Sequence, residues 1–134
     1  MRIKLDSDTL SYMHTFSDVT GVVPRDCISF NDTLVFVAPE GQVGMCVGEN
    51  GVKVKLLEKL FNRKVLIVEY FDDPVKFLES FVRPIRMISG YVSVDSNNDK
   101  KIEAELSGKI SYDRVKLLKM LMERYFNLKN INIR

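Results

Sequence analysis

Gly44-Met45-Cys46-Val47-Gly48-Glu49-Asn50-Gly51-Val52-Lys53 is the stretch on which the reading of this chain turns. At its centre is a G-x-x-G tetrapeptide, Gly48 to Gly51, between two helix-prone segments. Two glycines three apart let the backbone turn sharply and leave no side chain between its N–H groups and an approaching phosphate. The helix expected next, Val52 to about Asn62, is amphipathic. Val54, Leu56, Leu57, Leu60 and Phe61 share one wide arc, and Lys55, Glu58, Lys59, Asn62 and Arg63 fill the other. Lys53 falls inside the apolar arc but sits in the first turn, beside the glycines. A lone G-x-x-G equally marks a plain turn between helices, so the flanking elements have to decide between the two readings.

Upstream, Leu10, Met13, Phe16 and Val19 recur every three residues and predict a helix from Ser7 to about Val19, capped by Ser7 or Asp6. Cys27–Phe30 and Thr33–Ala38 read as short strands joined at Asn31-Asp32, a pair that tolerates the positive φ of a tight hairpin turn. Leu34, Phe36 and Ala38 alternate with Val35 and Val37, so the second strand should be buried on both faces. Gln42–Val47 is one or two helical turns, and Val65–Tyr70 is a third strand. The order is α-β-β-α-α-β.

Downstream, Asp73-Pro74 starts a helix, an acid at the N-cap followed by proline at the first helical position. That helix cannot pass Arg83, which precedes Pro84. Strands near 86–94 and 101–106, a helix over 112–126 and a strand over 130–134 follow. Val54-Lys55-Leu56-Leu57 matches Val115-Lys116-Leu117-Leu118, 61 positions on, and at that offset Leu60 falls on Leu121 and Arg63 on Arg124. A four-residue match proves little alone. Inside a matching order of elements it points to an internal repeat and to two small domains, residues 1–72 and 73–134. The fold class is α+β, with a three-stranded sheet in each domain.

The composition narrows the function. Hydrophobic residues make up 46% of the 134, enough for a packed core, and no apolar run reaches the ~18 residues of a membrane span. Residues 1–6 lack the apolar segment of a secretory leader, which leaves the cytoplasm as the expected location, with a monomer as the expected state. A net charge of +2 permits nucleic-acid binding without arguing for it. Cys27 and Cys46 are the only cysteines and His14 the only histidine, so no metal site, cofactor or catalytic set is expected. Both cysteines should be reduced and buried.

With both halves laid out, the chain resembles the archaeal NusA-like transcription factors, whose members carry two tandem KH domains of the type II order α-β-β-α-α-β. The resemblance rests on Thr20-Gly21-Val22 with Arg25-Asp26-Cys27, and on Gly44 through Gly51 as a G-x-x-I-G-x-x-G loop. Val65–Tyr70 with Asp73-Pro74 and Phe77, and Glu123-Arg124-Tyr125-Phe126 near the C-terminus, extend it. It covers nearly the whole chain and is strongest over residues 20–78. It implies a KH loop that clamps single-stranded RNA, a role in transcription elongation or termination, and RNA polymerase as a further candidate partner.

The chain departs from the family at two points. Glu49 stands where the family usually has a basic residue, and it would face an anionic backbone. At the repeat offset Gly48 and Gly51 fall on Lys109 and Tyr112, so the second domain has lost its glycine loop. The candidate RNA-binding residues are therefore Val47, Gly48, Glu49, Asn50, Gly51, Val52, Lys53 and Lys55 around the loop, with Arg25 and Lys109 as possible phosphate contacts. Arg25 could instead pair with a local acid, and Val47 and Val52 could serve only the core. Tyr112, Tyr125 and Phe126, at helical spacing, read as core rather than as base-stacking groups. An adaptor that docks on RNA polymerase or the ribosome and barely touches RNA is the competing reading.

Overall fold

The computed structural model describes residues 7–134. The segment Met1–Asp6 and the side chain of Ser7, and with them both candidate caps of the first helix, lie outside the described residues. The chain divides into two compact units, with the boundary between Phe71 and Asp72. No helix among the described residues is long and apolar enough to cross a membrane.

The first unit runs α1 (Ser7–Thr20), β1 (Asp26–Phe30), β2 (Thr33–Ala38), α2 (Val43–Val47), a single 3₁₀ turn at Glu49–Gly51, α3 (Val52–Phe61) and β3 (Lys64–Glu69). β2 is the central strand, antiparallel to β1 and parallel to β3. The β1–β2 ladder closes at Phe30 and Thr33 across Asn31-Asp32, with Asn31 at φ 52°. β2 is buried from Leu34 to Ala38, on both faces, as its uninterrupted apolar run requires. Leu34, Phe36 and Ala38 point to the helices and meet Phe16 of α1, Cys46 of α2 and Leu57 of α3. The Phe16 and Phe36 rings stack at 4.3 Å, and Phe61 lies 5.8 Å from Phe36.

α1 differs in one respect from its three-residue pattern. Each step of three falls 60° short of a full turn, so over two steps Leu10 drifts off the face centred on Phe16 and is exposed. Tyr12, four residues before Phe16, takes the inner position and meets Phe61 edge-on at 5.3 Å.

The second unit runs α4 (Pro74–Phe81), β4 (Met87–Val94), β5 (Lys100–Leu106), α5 (Tyr112–Phe126) and β6 (Asn130–Ile133). The sheet order is β4-β5-β6, antiparallel then parallel, which repeats the first unit. α4 starts as its sequence requires, with Asp73 accepting from the Val75 N–H at 2.9 Å and Pro74 in the first turn. The order here is α-β-β-α-β. The extra short helix of the α-β-β-α-α-β pattern belongs to the first unit alone. Without a glycine pair the chain enters α5 directly, and Ser111 caps it by accepting from Arg114 N–H at 3.3 Å. Tyr125 and Phe126 pack against Phe77, at 6.0 and 5.5 Å. Tyr112 is not core. It stands one residue into the helix, ahead of the buried face, and is exposed with the Lys116 ammonium 5.5 Å from its ring.

Candidate nucleic-acid interface

The loop between α2 and α3 is built on left-handed backbone. Gly48 has φ 76° and ψ 172°, Asn50 φ 56° and ψ 25°, and Gly51 φ 74° and ψ 18°. Residues with a Cβ rarely adopt the first of these, and asparagine is among the few that tolerate the second. The Gly48 N–H closes α2 on Gly44 C=O at 3.0 Å, and the Gly51 N–H returns to Gly48 C=O at 3.2 Å. The loop is therefore a tight double turn that ends where α3 begins.

The two glycines are required for different reasons. A Cβ on Gly48 would lie 2.8 Å from Lys53 Cγ and 3.2 Å from both Lys53 N and Val52 Cγ1. A Cβ on Gly51 would meet nothing within 4 Å, so only its φ calls for glycine. Gly48 lets the stem of Lys53 cross the backbone. Beyond that crossing the Lys53 ammonium donates to Met45 C=O at 2.8 Å and Thr20 C=O at 3.3 Å. Lys53 thus ties α3 to α2 and to the end of α1. This explains a charged residue inside an apolar arc, which the sequence left unexplained.

The other loop residues are open. Glu49 and Asn50 are exposed at the tip, Val52 and Lys55 are exposed on the first turn of α3, and Val47 is half-buried at the end of α2. The first N–H groups of α3, and the positive end of its dipole, are directed back toward the loop. Cys46 lies beneath, fully buried, and burial pushes its thiol pKa up against a smaller opposing effect of the Lys53 charge. Both cysteines are buried, and neither is in a disulfide. Among the described residues no group of three His, Cys, Asp or Glu side chains is placed to hold a metal.

Arg25 is placed at the edge of the first sheet. Its N–H donates to Val37 C=O at 2.7 Å, and its guanidinium lies 3.8 Å from the centre of the Tyr70 ring. At that distance the guanidinium is attracted to the face of the ring, a cation–π contact that holds it at the sheet edge. Arg63, which the sequence placed on the polar arc of the helix, lies past its end, after the left-handed Asn62; it reaches the β1–β2 hairpin and donates to Ser29 Oγ at 2.7 Å and Asn31 C=O at 3.0 Å. It braces that hairpin, a contact between distant segments for which the sequence carries no signal. Lys109 belongs to the second unit, exposed in the segment before Ser111. The structure thus gathers eight of the ten candidates, Val47 through Val52 with Lys53 and Lys55, into one loop and one helical turn.

The comparisons agree with this frame. A protein of Methanococcus vannielii named probable transcription termination protein NusA is 31% identical over 98 residues, 73% of this chain and 57% of its own length. The Methanocaldococcus jannaschii protein of the same name is 31% identical over 86 residues, 64% of this chain and 47% of its length. The chain thus spans about half the length of these two curated relatives. The Halococcus morrhuae protein of that name aligns over 99% of both chains at 25% identity. Among solved structures, the crystal structure of APE1850 superposes with a TM-score of 0.81, covering 97% of this chain and all of the other at 23% identity. No family profile matches the chain.

Proposed function

We propose that this chain, similar to archaeal proteins named probable transcription termination protein NusA, is a NusA-like protein that binds single-stranded RNA through the Gly48–Gly51 loop and acts in transcription termination or elongation. The role is one of binding rather than catalysis. The observation that carries the reading is the backbone of the loop. Three of its four residues are left-handed, its first glycine is bare because Lys53 crosses it, and it ends on a helix N-terminus. Such a turn lets a sugar–phosphate backbone approach main-chain N–H groups closely. Lys55 adds a free charge one turn along, and Val52 an apolar surface on which a base can rest. In this reading Lys53 serves the shape of the loop before it serves its charge.

Titration with a short single-stranded RNA at two salt concentrations tests the proposal. Binding should weaken with salt, with a negative slope of log affinity against log salt from each phosphate neutralised. The variant Asn50→Asp, Lys55→Glu keeps a residue that tolerates left-handed backbone and adds negative charge only at exposed positions. It should bind roughly tenfold more weakly, about 1.4 kcal/mol. Equal affinity of this variant and the native chain would remove RNA from the loop.

A second reading has specific support. Glu49 is an acid at the exposed tip, and the Lys53 charge is engaged with two carbonyls. Both weaken the pull of the loop on phosphate and favour an adaptor that docks on RNA polymerase. Absence of any RNA binding at low salt, with the fold intact, selects that reading.

A further inference from the structure

Among the described residues β4 is one edge strand of the second sheet and β6 the other. It reads Met87-Ile88-Ser89-Gly90-Tyr91-Val92-Ser93-Val94, eight residues without a charge or a proline. Edge strands present unpaired main-chain donors and acceptors, and natural sheets usually blunt them with lysine, proline, bulges or covering elements; β4 carries a register shift between Met87 and Ser89 and is regular from Ser89 to Val94. The adjoining β5 carries Lys100, Lys101, Glu103 and Glu105, so the lack of charge is confined to the edge. Ile88, Tyr91 and Val94 are 58%, 50% and 55% exposed.

The strand is also nearly palindromic about Tyr91. Paired antiparallel with a second copy on a twofold axis through Tyr91, it places Ser89 opposite Ser93, Gly90 opposite Val92 and Tyr91 opposite its own copy, with Ile88, at the register shift, and Val94 at the ends of the ladder. Serine meets serine, glycine leaves room for valine, tyrosine meets tyrosine, and no like charges meet. The faces agree as well. Gly90 and Val92 lie across from Ala104 and Ile102, both buried, which puts them on the helix-covered side. There each Val92 would come alongside the Met87 and Val75 side chains that fill the space over Gly90. Tyr91 lies on the open side, its hydroxyl donating to Glu103 on β5 and so directed away from the edge. The ring is left free to pair with its copy.

We propose that the chain self-associates through β4, joining the second sheets of two copies into one continuous sheet about a twofold axis at Tyr91. This departs from the monomer expected of the sequence. A twofold pairing consumes β4 of both copies and therefore closes at a dimer. The ladder is short, so the association is weak and depends on concentration.

Cysteine scanning tests both the association and its register. Facing residues of an antiparallel pair have Cα atoms about 4.5–5.5 Å apart, within disulfide range. Tyr91→Cys should cross-link to itself under mild oxidation, in a yield that falls on dilution. Ser89→Cys and Ser93→Cys should each fail to self-link, because each lies about 13 Å from its own copy, four residues along the strand. The two mixed together should cross-link. Val92→Lys added to Tyr91→Cys should lower the yield at least fivefold, and the native chain, whose two thiols are buried, is the blank. If Tyr91→Cys fails to fold, the mixed serine pair carries the same prediction. No cross-linking in the mixture, equal linking of Ser89→Cys and Ser93→Cys alone, or open-ended oligomers would each overturn the proposal.

Discussion

Replacing Glu49 by lysine probes the interface at its most unusual position. The residue is exposed at the loop tip, so the change acts on charge and leaves packing alone. Suppose a phosphate sits about 7 Å from the side-chain charge. In water the interaction is then about 0.6 kcal/mol per unit charge. A Debye length of about 10 Å at 0.1 M salt halves it. Reversal from −1 to +1 doubles what is left, and a second neighbouring phosphate brings the total to about 1 kcal/mol, roughly a fivefold gain in affinity. Glu49→Gln should give about half of that free energy. At about 1 M salt the Debye length falls to about 3 Å and both gains should vanish. Fluorescence anisotropy with a labelled single-stranded RNA reads this directly, and the melting temperature should stay put. If the lysine and glutamine variants bind alike at low salt, or neither differs from the native chain, no phosphate lies near the loop and the clamp reasoning fails.

Three further outcomes follow from the same geometry. Gly48→Ala should destabilise the chain by about 2 kcal/mol or more, since it adds a contact of 2.8 Å to a left-handed strain. Gly51→Ala carries only the strain, about 1 kcal/mol, and urea denaturation should rank the two in that order. Glycine-to-aspartate changes would therefore confound folding with binding. Lys53→Met keeps the stem that crosses Gly48 but abandons Met45 C=O and Thr20 C=O. It should cost about 1 kcal/mol and speed hydrogen exchange in the loop, which NMR can follow. The Cys46 thiol, its pKa raised by burial, should resist alkylation at pH 8 in the native chain and react after unfolding. The raised pKa stabilises the fold fully at low pH, and that contribution should fall as pH rises past the ordinary thiol range.

Most of the fold was legible because its elements are signalled locally. Asp73-Pro74 announces a helix start, Asn31 a hairpin, and the apolar run of β2 a central strand. All three depend on residues within a few positions of one another. What the sequence hid depends on partners far along the chain. Lys53 reads as a stray charge in an apolar arc until Thr20 and Met45, 33 and 8 residues away, are brought to its ammonium. Arg63 reads as a solvated cation until the hairpin arrives 32 to 34 residues from it. Gly48 could be read as flexible, but not as the residue that lets Lys53 pass. The candidate site was found by its glycines, and the structure adds why those glycines are needed.

The repeat itself shows where a pattern stops being informative. Leu56 and Leu60 of α3 are 45% and 56% exposed, whereas Leu117 and Leu121, at the same places in the repeat, are buried. The difference follows from α2. In the first unit Cys46 of α2 shares the inner face of the sheet with Phe16 and Leu57. α3 is left with one row of contact, Leu57 and Phe61, and its neighbouring row, Leu56 and Leu60, stays outside. The second unit has no counterpart of α2, so α5 fills the space with two rows, Leu117 and Leu121 beside Leu118 and Met122. Alanine substitution makes the asymmetry measurable. Leu121→Ala opens a cavity in a filled core and should cost about 2–5 kcal/mol. Leu60→Ala trims a side chain already more than half in water and should cost well under about 1 kcal/mol. Equal losses in chemical denaturation would mean that Leu60 is covered in solution, and that the narrow contact assigned to α3 is wrong.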